Sequence, residues 1–288
     1  MRALQILDYI INLLYNAGVR INTLYVERKF CMDNRNIVSK KMSMSLFVEP
    51  GTEWRGNIEI DGDIYFGERC SVLGDVIAGN VYFSDGCEVR NVFAEGDLHF
   101  GKYCSVKENI VAENVHFGNC CEAKEVVAKA DFECGDRNSF TKVFAEGYVE
   151  VGSYNIFQEI HAKESVSISC FSRFGTIYTD ANAYIDMYND GNCIAANLDV
   201  KVGVKSDVQD IYSKRNVYID WRSTVTRIEA DGLVELKQDA IVYNWIYTFG
   251  KVILKTEAKV FRRIVAESVE AEGKFEYDCE VMELVKEK

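Results

Sequence analysis

The chain has 288 residues, a formal net charge of -12 and 48% apolar residues. This length allows one large domain or two ordinary ones, with enough apolar side chains for an extensive core. The acidic balance excludes nucleic acid as a main partner, because phosphate binding requires clustered Lys and Arg. The single proline argues against proline-rich linkers or stalks.

Residues 1–17 are predicted to form an amphipathic helix. Leu4, Leu7, Ile11 and Leu14 fall on one helical face, and Gly18 suits the C-terminal end. The segment lacks a signal-peptide cleavage site and is too short and polar to favour a transmembrane span. Ten cysteines are fewer than a disulfide scaffold of this length would carry. We therefore expect free thiols and a cytoplasmic protein.

The helix has two interpretations. As a cap, it covers the apolar end of the following domain and prevents edge-to-edge strand pairing. Alternatively, it contacts a membrane surface or an envelope protein, helped by the seven basic side chains among residues 1–44. The cap is the favoured interpretation. We assign residues 1–44 to this helix and a cap or strand segment, and residues 45–284 to the main domain.

The main domain follows a repeat of seventeen residues. Coils begin at residues 62, 79, 96, 113, 130, 147, 164, 181, 198, 215 and 232, and one extra residue, placed at Phe249, moves the next start to 250. Positions 3, 5, 11 and 14 of each coil are mainly apolar. The apolar pairs lie two residues apart, as in strands, and the pairs are spaced by about six, five and six residues. Each coil thus contains three short strands.

Such a coil cannot bury its inner face alone, and stacking equivalent strands of successive coils makes parallel sheets around a continuous core. We therefore predict an all-β, three-sided parallel β-helix, or β-solenoid, of twelve or thirteen coils. Recurring glycines such as Gly101 and Gly118 mark its corners, together with Asp or Asn at position 2. Gly191 at a core position and Trp245 near the C-terminal end predict local changes in the cross-section.

The stretch FVEPGTEWRGNIEIDGDIYFGERCSVLGDVIAGNVYF resembles the bactofilins, a family of polymer-forming cytoskeletal proteins. The resemblance rests on PGT at 50–52, GNI at 56–58, VLGDVIA at 72–78 and the seventeen-residue spacing, and it covers roughly residues 45–180. It implies a right-handed β-helix that polymerises end to end without nucleotide and serves as a scaffold at the cell envelope. A firm N-terminal cap would block growth at one end.

Position 9 contains four cysteines on consecutive coils: Cys70, Cys87, Cys104 and Cys121. Equivalent residues of stacked strands lie about 4.8 Å apart. Disulfides between coils are compatible with that spacing, whereas a straight row of thiols does not converge on a tetrahedral metal ion. The favoured interpretation is a row of small side chains at a tight corner, because Asn and Ser take the same position in later coils.

Position 4 predicts an outward face rich in rings and carboxylates. His99, His116 and Glu133 on neighbouring coils are weak candidates for a metal site, and a glycan- or peptide-binding groove is the other functional interpretation. A solvated face without a specific role is favoured over both. The candidate face comprises Tyr65, Tyr82, His99, His116, Glu133 and Glu150.

The sequence favours a non-enzymatic structural scaffold that needs no cofactor and has itself as its main partner. The alternative is a capped, non-polymerising rod that binds a polysaccharide or protein along the position-4 face. A hexapeptide-acyltransferase-like enzyme is less favoured, because those enzymes keep a strict six-residue step that is absent here. If the ends of the solenoid meet near Phe66 or Val252, a charge at either residue is expected to disrupt assembly.

Overall fold

The computed structural model describes residues 45–272 and 279–284, together with the backbone of three earlier strands. The described chain is all-β and forms a parallel β-solenoid with about seventeen residues per coil, as predicted. It makes about fourteen turns rather than twelve or thirteen, because the strands from Thr23 to Val38 add a coil before residue 45. The predicted helix over residues 1–17 lies outside the described residues.

The first sheet forms one side of the solenoid and takes one strand from each coil. Equivalent residues pair in register, so that Ile64 pairs with Val81 and Val81 with Leu98. Its fifteen strands are Thr23–Val26, Ser45–Val48, Ile64–Phe66, Val81–Phe83, Leu98–Phe100, Val115–Phe117, Phe132–Cys134, Val149–Val151, Val166–Ile168, Ala183–Ile185, Val200–Val202, Val217–Ile219, Val234–Leu236, Lys251–Leu254 and Ser268–Ala271.

The second sheet covers the other two sides, because one continuous strand bends around their shared corner in most coils. In Glu122–Ala128, two successive exposed residues, Lys124 and Glu125, interrupt the alternation of buried and outward side chains. The prediction of three separate strands therefore holds only near the ends. The strands are Met32–Asp33, Ile37–Val38, Glu53–Arg55, Ile58–Glu59, Ser71–Ala78, Glu88–Ala94, Ser105–Ala112, Glu122–Ala128, Ser139–Ala145, Ile156–Ala162, Arg173–Thr179, Asp190–Ala196, Asp207–Ser213, Thr224–Ala230, Ile241–Thr248, Lys259–Val260, Arg263–Ala266 and Glu280–Glu283.

A single core runs the length of the stack. The predicted apolar columns at positions 3, 5 and 11 are buried in all twelve coils that begin at residues 62 to 250. The fourth column is buried at position 14 in most coils and one residue later at Val76, Ile110, Ile246 and Ile264. In the early coils, Phe66, Phe83, Phe100 and Phe117 stack with ring centroids 4.5, 4.8 and 4.5 Å apart. Each side chain therefore packs against its counterparts in the neighbouring coils, so the stability of a coil depends on the coils beside it.

The residue that makes the turn at each corner is not the one that was predicted. The left-handed residue is at position 8, where Tyr103 and Tyr154 have φ values of 59° and 62°. The glycines at position 6 serve close packing instead, since a Cβ on Gly118 would lie 2.7 Å from the carbonyl oxygen of Gly101. At position 2 the predicted turn residues bond between coils, as where the Asn80 amide donates to Asp63 Oδ1 over 2.9 Å.

The two predicted irregularities have local explanations. The ring of Phe174 fills the space that a side chain at Gly191 would take, so the strand Asp190–Ala196 stays regular. The extra residue near the C-terminal end is accommodated between Val242 and Trp245, where the register shifts, and not at Phe249. Trp245 points outward, and the buried small position is filled by Thr248.

Candidate functional site

The position-4 residues form one straight column on the outer surface of the first sheet. All six pair with their neighbours in register, and Phe47 extends the column by one coil. The rings of Phe47, Tyr65 and Tyr82 stack nearly parallel with centroids 4.8 Å apart, and His99 follows at 5.2 Å. Because each ring face covers the next, the column presents ring edges and hydroxyl groups, not open ring faces.

The lower part of the column is polar. The His116 ring is tilted by 44° to that of His99, and its Nδ1 lies 3.5 Å from Glu133 Oε2. The Tyr148 hydroxyl donates a hydrogen bond to Glu133 Oε1, which raises the pKa of Tyr148 to about 12. Burial and the neighbouring His116 lower the pKa of His99 below its usual 6.5.

The structure gives no support to a metal at this face. Among the described residues, no group of three or more His, Cys, Asp or Glu side chains is placed to hold a metal ion. His99, His116 and Glu133 lie in a line on successive strands, and the Glu133 carboxylate already contacts His116 and Tyr148. A line of side chains on a flat sheet does not surround an ion.

The cysteine row is a buried corner, as favoured from the sequence. Cys70, Cys87, Cys104 and Cys121 are almost fully buried and form no disulfides with one another. Each thiol donates to a backbone carbonyl of the preceding coil, as from Cys87 to Gly67 over 3.1 Å. The thiols therefore satisfy backbone groups at the corner, in the way that the Ser223 hydroxyl later donates to the Gly203 carbonyl.

An outward apolar column on the third side was missed by the sequence analysis. It occupies position 15 in most coils, between the buried residues at positions 14 and 16, and pairs in register throughout. The signal was present, because triplets such as Val92-Phe93-Ala94 contain an apolar middle residue where a strand should alternate. The column comprises Ile77, Phe93, Val111, Val127, Phe144, His161, Tyr178, Ala195, Tyr212, Glu229, Tyr247 and Val265.

A second missed feature is an aromatic ridge along the position-8 corner. The exposed rings of Tyr154, Phe171 and Tyr188 stack with centroids 4.9 Å apart. Arg137 covers one end of the stack at 5.7 Å and Lys205 the other at 5.3 Å. All three aromatic residues have a left-handed backbone, which projects their side chains from the corner.

The C-terminal end of the described solenoid is open. The strand Glu280–Glu283 pairs with Arg263–Ala266 on one side, and within the described chain no strand covers its other side. Val281 and Met282 are 37% and 41% exposed there. Phe66 and Val252 are core residues with further coils on both sides, so the expectation that they lie at contacting ends is wrong.

Comparison with known proteins gives no relative from which to transfer a role. No protein-family model matches the chain, and neither the curated proteins nor the solved structures give a significant match. In the part of the chain that the structure describes, no helix has the length and apolar character needed to span a bilayer.

Proposed function

We propose that the protein is a non-enzymatic scaffold whose molecules join end to end into filaments without nucleotide, as the bactofilin resemblance implies. The observation that carries this proposal is the open C-terminal coil. Its last strand has an unpaired edge within the described chain, and Val281 and Met282 are exposed beside it. An exposed strand edge with apolar side chains is a template for pairing with another chain.

The charges of the two terminal segments of the sequence support a head-to-tail contact. Residues 1–44 contain seven basic and three acidic side chains, whereas residues 267–284 contain seven acidic side chains and one basic. Opposite charges on the two segments favour contacts between unlike segments of neighbouring molecules and disfavour contacts between like ones. A head-to-tail contact whose rotation does not close a ring generates an open filament.

The test is a charge substitution at the open end. The double variant Val281→Lys, Met282→Lys removes the apolar contact and adds two cations that repel the net positive charge of residues 1–44 in a neighbouring molecule, so we expect the filaments to disappear. Tyr243→Lys is the matched control, because Tyr243 is half exposed on the side of the rod. Negative-stain electron microscopy and high-speed pelleting measure the filaments. Filaments in the double variant would argue against this end as the contact.

A second candidate function is recognition along the side of the rod. It is favoured by the stacked rings at position 4 and by the apolar column of the third side, since contiguous apolar surface marks interaction sites. Tyr82→Ala opens a gap in the stack without touching the core, and Leu73→Ala is the control on another exposed position. Cosedimentation with insoluble cell-wall polysaccharide measures binding. Unchanged binding in the Tyr82 variant would exclude this face.

A further inference from the structure

One coil interrupts the aromatic part of the third-side column. Tyr178, Ala195 and Tyr212 pair in register on three consecutive strands, so the two tyrosines flank an alanine. Strands lie about 4.8 Å apart, which places the tyrosine rings about 9.6 Å from each other. Both rings and the alanine are among the residues that line an open cavity of about 440 Å³, which extends along the column from Phe144 to Glu229. At Ala195 the small side chain leaves the space between the two tyrosines that a ring takes elsewhere in the column.

The first sheet contains the same arrangement with the space filled. There Tyr184 and Tyr218 flank Lys201, again on consecutive strands. The Lys201 ammonium lies 5.4 Å from the Tyr184 ring centroid and 5.8 Å from that of Tyr218. In this protein, two tyrosines on the strands to either side of a third strand therefore hold a cation between their rings. Tyr178 and Tyr212 flank Ala195 in the same way, with an alanine in the place of the lysine.

The walls of the slot carry net negative charge. Asp180, Glu229 and Asp231 line the cavity, together with Lys163, Lys214 and His161. Lys163 is paired with Glu146 at 3.0 Å and His161 is hydrogen-bonded to Glu159, so Lys214 alone offsets the three carboxylates. An aromatic pair with neighbouring carboxylates attracts organic cations through the ring quadrupole and the charge together.

The width of the slot selects among cations. Carbon atoms in contact are about 3.5–4.0 Å apart, so each ring takes up about 1.8 Å and leaves a gap of about 6 Å. A trimethylammonium head is about 6 Å across and touches both rings, as in aromatic cages. A guanidinium group is flat, about 3.5 Å thick, and touches only one ring.

We propose that the Ala195 slot binds a quaternary ammonium group between Tyr178 and Tyr212. The carboxylates of Asp180, Glu229 and Asp231 balance its charge. Such a head can belong to a free small molecule or to a trimethylated lysine of another protein. The site is on the side of the rod and does not depend on end-to-end assembly.

The experiment is a titration of the full-length protein with tetramethylammonium chloride, followed by tyrosine fluorescence at constant ionic strength. We expect saturable binding with a Kd on the order of 10 mM, since both rings are partly exposed and each cation–π contact is then weaker than in a closed cage. Ala195→Phe fills the slot and Tyr212→Ala removes one wall, so both should weaken binding at least tenfold. Tyr218→Ala, the matched tyrosine of the first sheet, should leave the affinity unchanged.

Three outcomes would overturn the proposal. The first is the lack of saturable binding in the unmodified protein, and the second is the persistence of binding in folded Ala195→Phe. The third is equal affinity for 3,3-dimethylbutan-1-ol, a neutral molecule with a head of the same shape, because the slot would then select shape without charge. Choline and a short peptide containing trimethyllysine distinguish the two sources, since the true one should bind more tightly than tetramethylammonium.

Discussion

Removing one ring from the phenylalanine stack tests how the coils stabilise one another. Phe83 is 4% exposed and lies between Phe66 and Phe100, with ring centroids 4.5 and 4.8 Å away. Phe83→Ala loses the burial of a large side chain, leaves a cavity and breaks two stacked pairs. Truncations of this kind cost about 3–5 kcal/mol. Leu73→Ala, a half-exposed side chain one coil away, should change stability by less than about 0.5 kcal/mol.

This prediction also specifies which strands Phe83→Ala destabilises most. In a stack of nearest-neighbour contacts, a weak coil loosens its neighbours first. Hydrogen exchange in Phe83→Ala should rise most in Ile64–Phe66, Val81–Phe83 and Leu98–Phe100, and least in Val200–Val202. Urea unfolding gives the free energy of unfolding. A loss below about 1 kcal/mol, or an equal rise in exchange at all four strands, would refute this reasoning.

Three further predictions concern the corners and the position-4 face. Gly118→Ala should destabilise by about 1–3 kcal/mol in urea unfolding, because its Cβ would meet the Gly101 carbonyl oxygen at 2.7 Å; an unchanged midpoint would contradict the close packing. Tyr103→Gly should be neutral or stabilise by up to about 1 kcal/mol, since glycine relieves a left-handed residue at some cost in backbone entropy. A loss above 1 kcal/mol would contradict it. Burial and His116 lower the pKa of His99 in the folded state, so the unfolded chain binds the proton first as pH falls through 6.5. Stability should therefore fall below that pH, and His99→Gln should remove part of the slope; an identical slope would contradict the effect.

The sequence predicted the fold well because core packing and stacking repeat with the same period. A column such as Ile64, Val81 and Leu98 can be aligned without a structure, and the parallel register follows from it. The burial of the cysteine row was equally predictable, because small residues at one corner must pack as closely as Ser223 does. Handedness does not follow from this periodicity and stays a prediction from the family resemblance.

The features that were not predicted from the sequence depend on side-chain direction and backbone conformation, which the seventeen-residue repeat does not specify. The outward position of Phe93 was hidden by apolar neighbours on both sides, Val92 and Ala94. The left-handed conformation of Tyr154 could not be foreseen, since bulky residues seldom adopt it and glycine was the obvious turn residue. The slot at Ala195 needs the register of three strands and the direction of two side chains, so only the structure brings it together.

Electron microscopy of the purified full-length protein, without nucleotide or metal, tests the central claim most directly. The fifteen described strands of the first sheet, spaced by about 4.8 Å, make a rod of about 70 Å. The proposal predicts unbranched filaments with an axial repeat of about that length, and their loss in the Val281→Lys, Met282→Lys variant. Single rods of about 70 Å at every protein and salt concentration would contradict it.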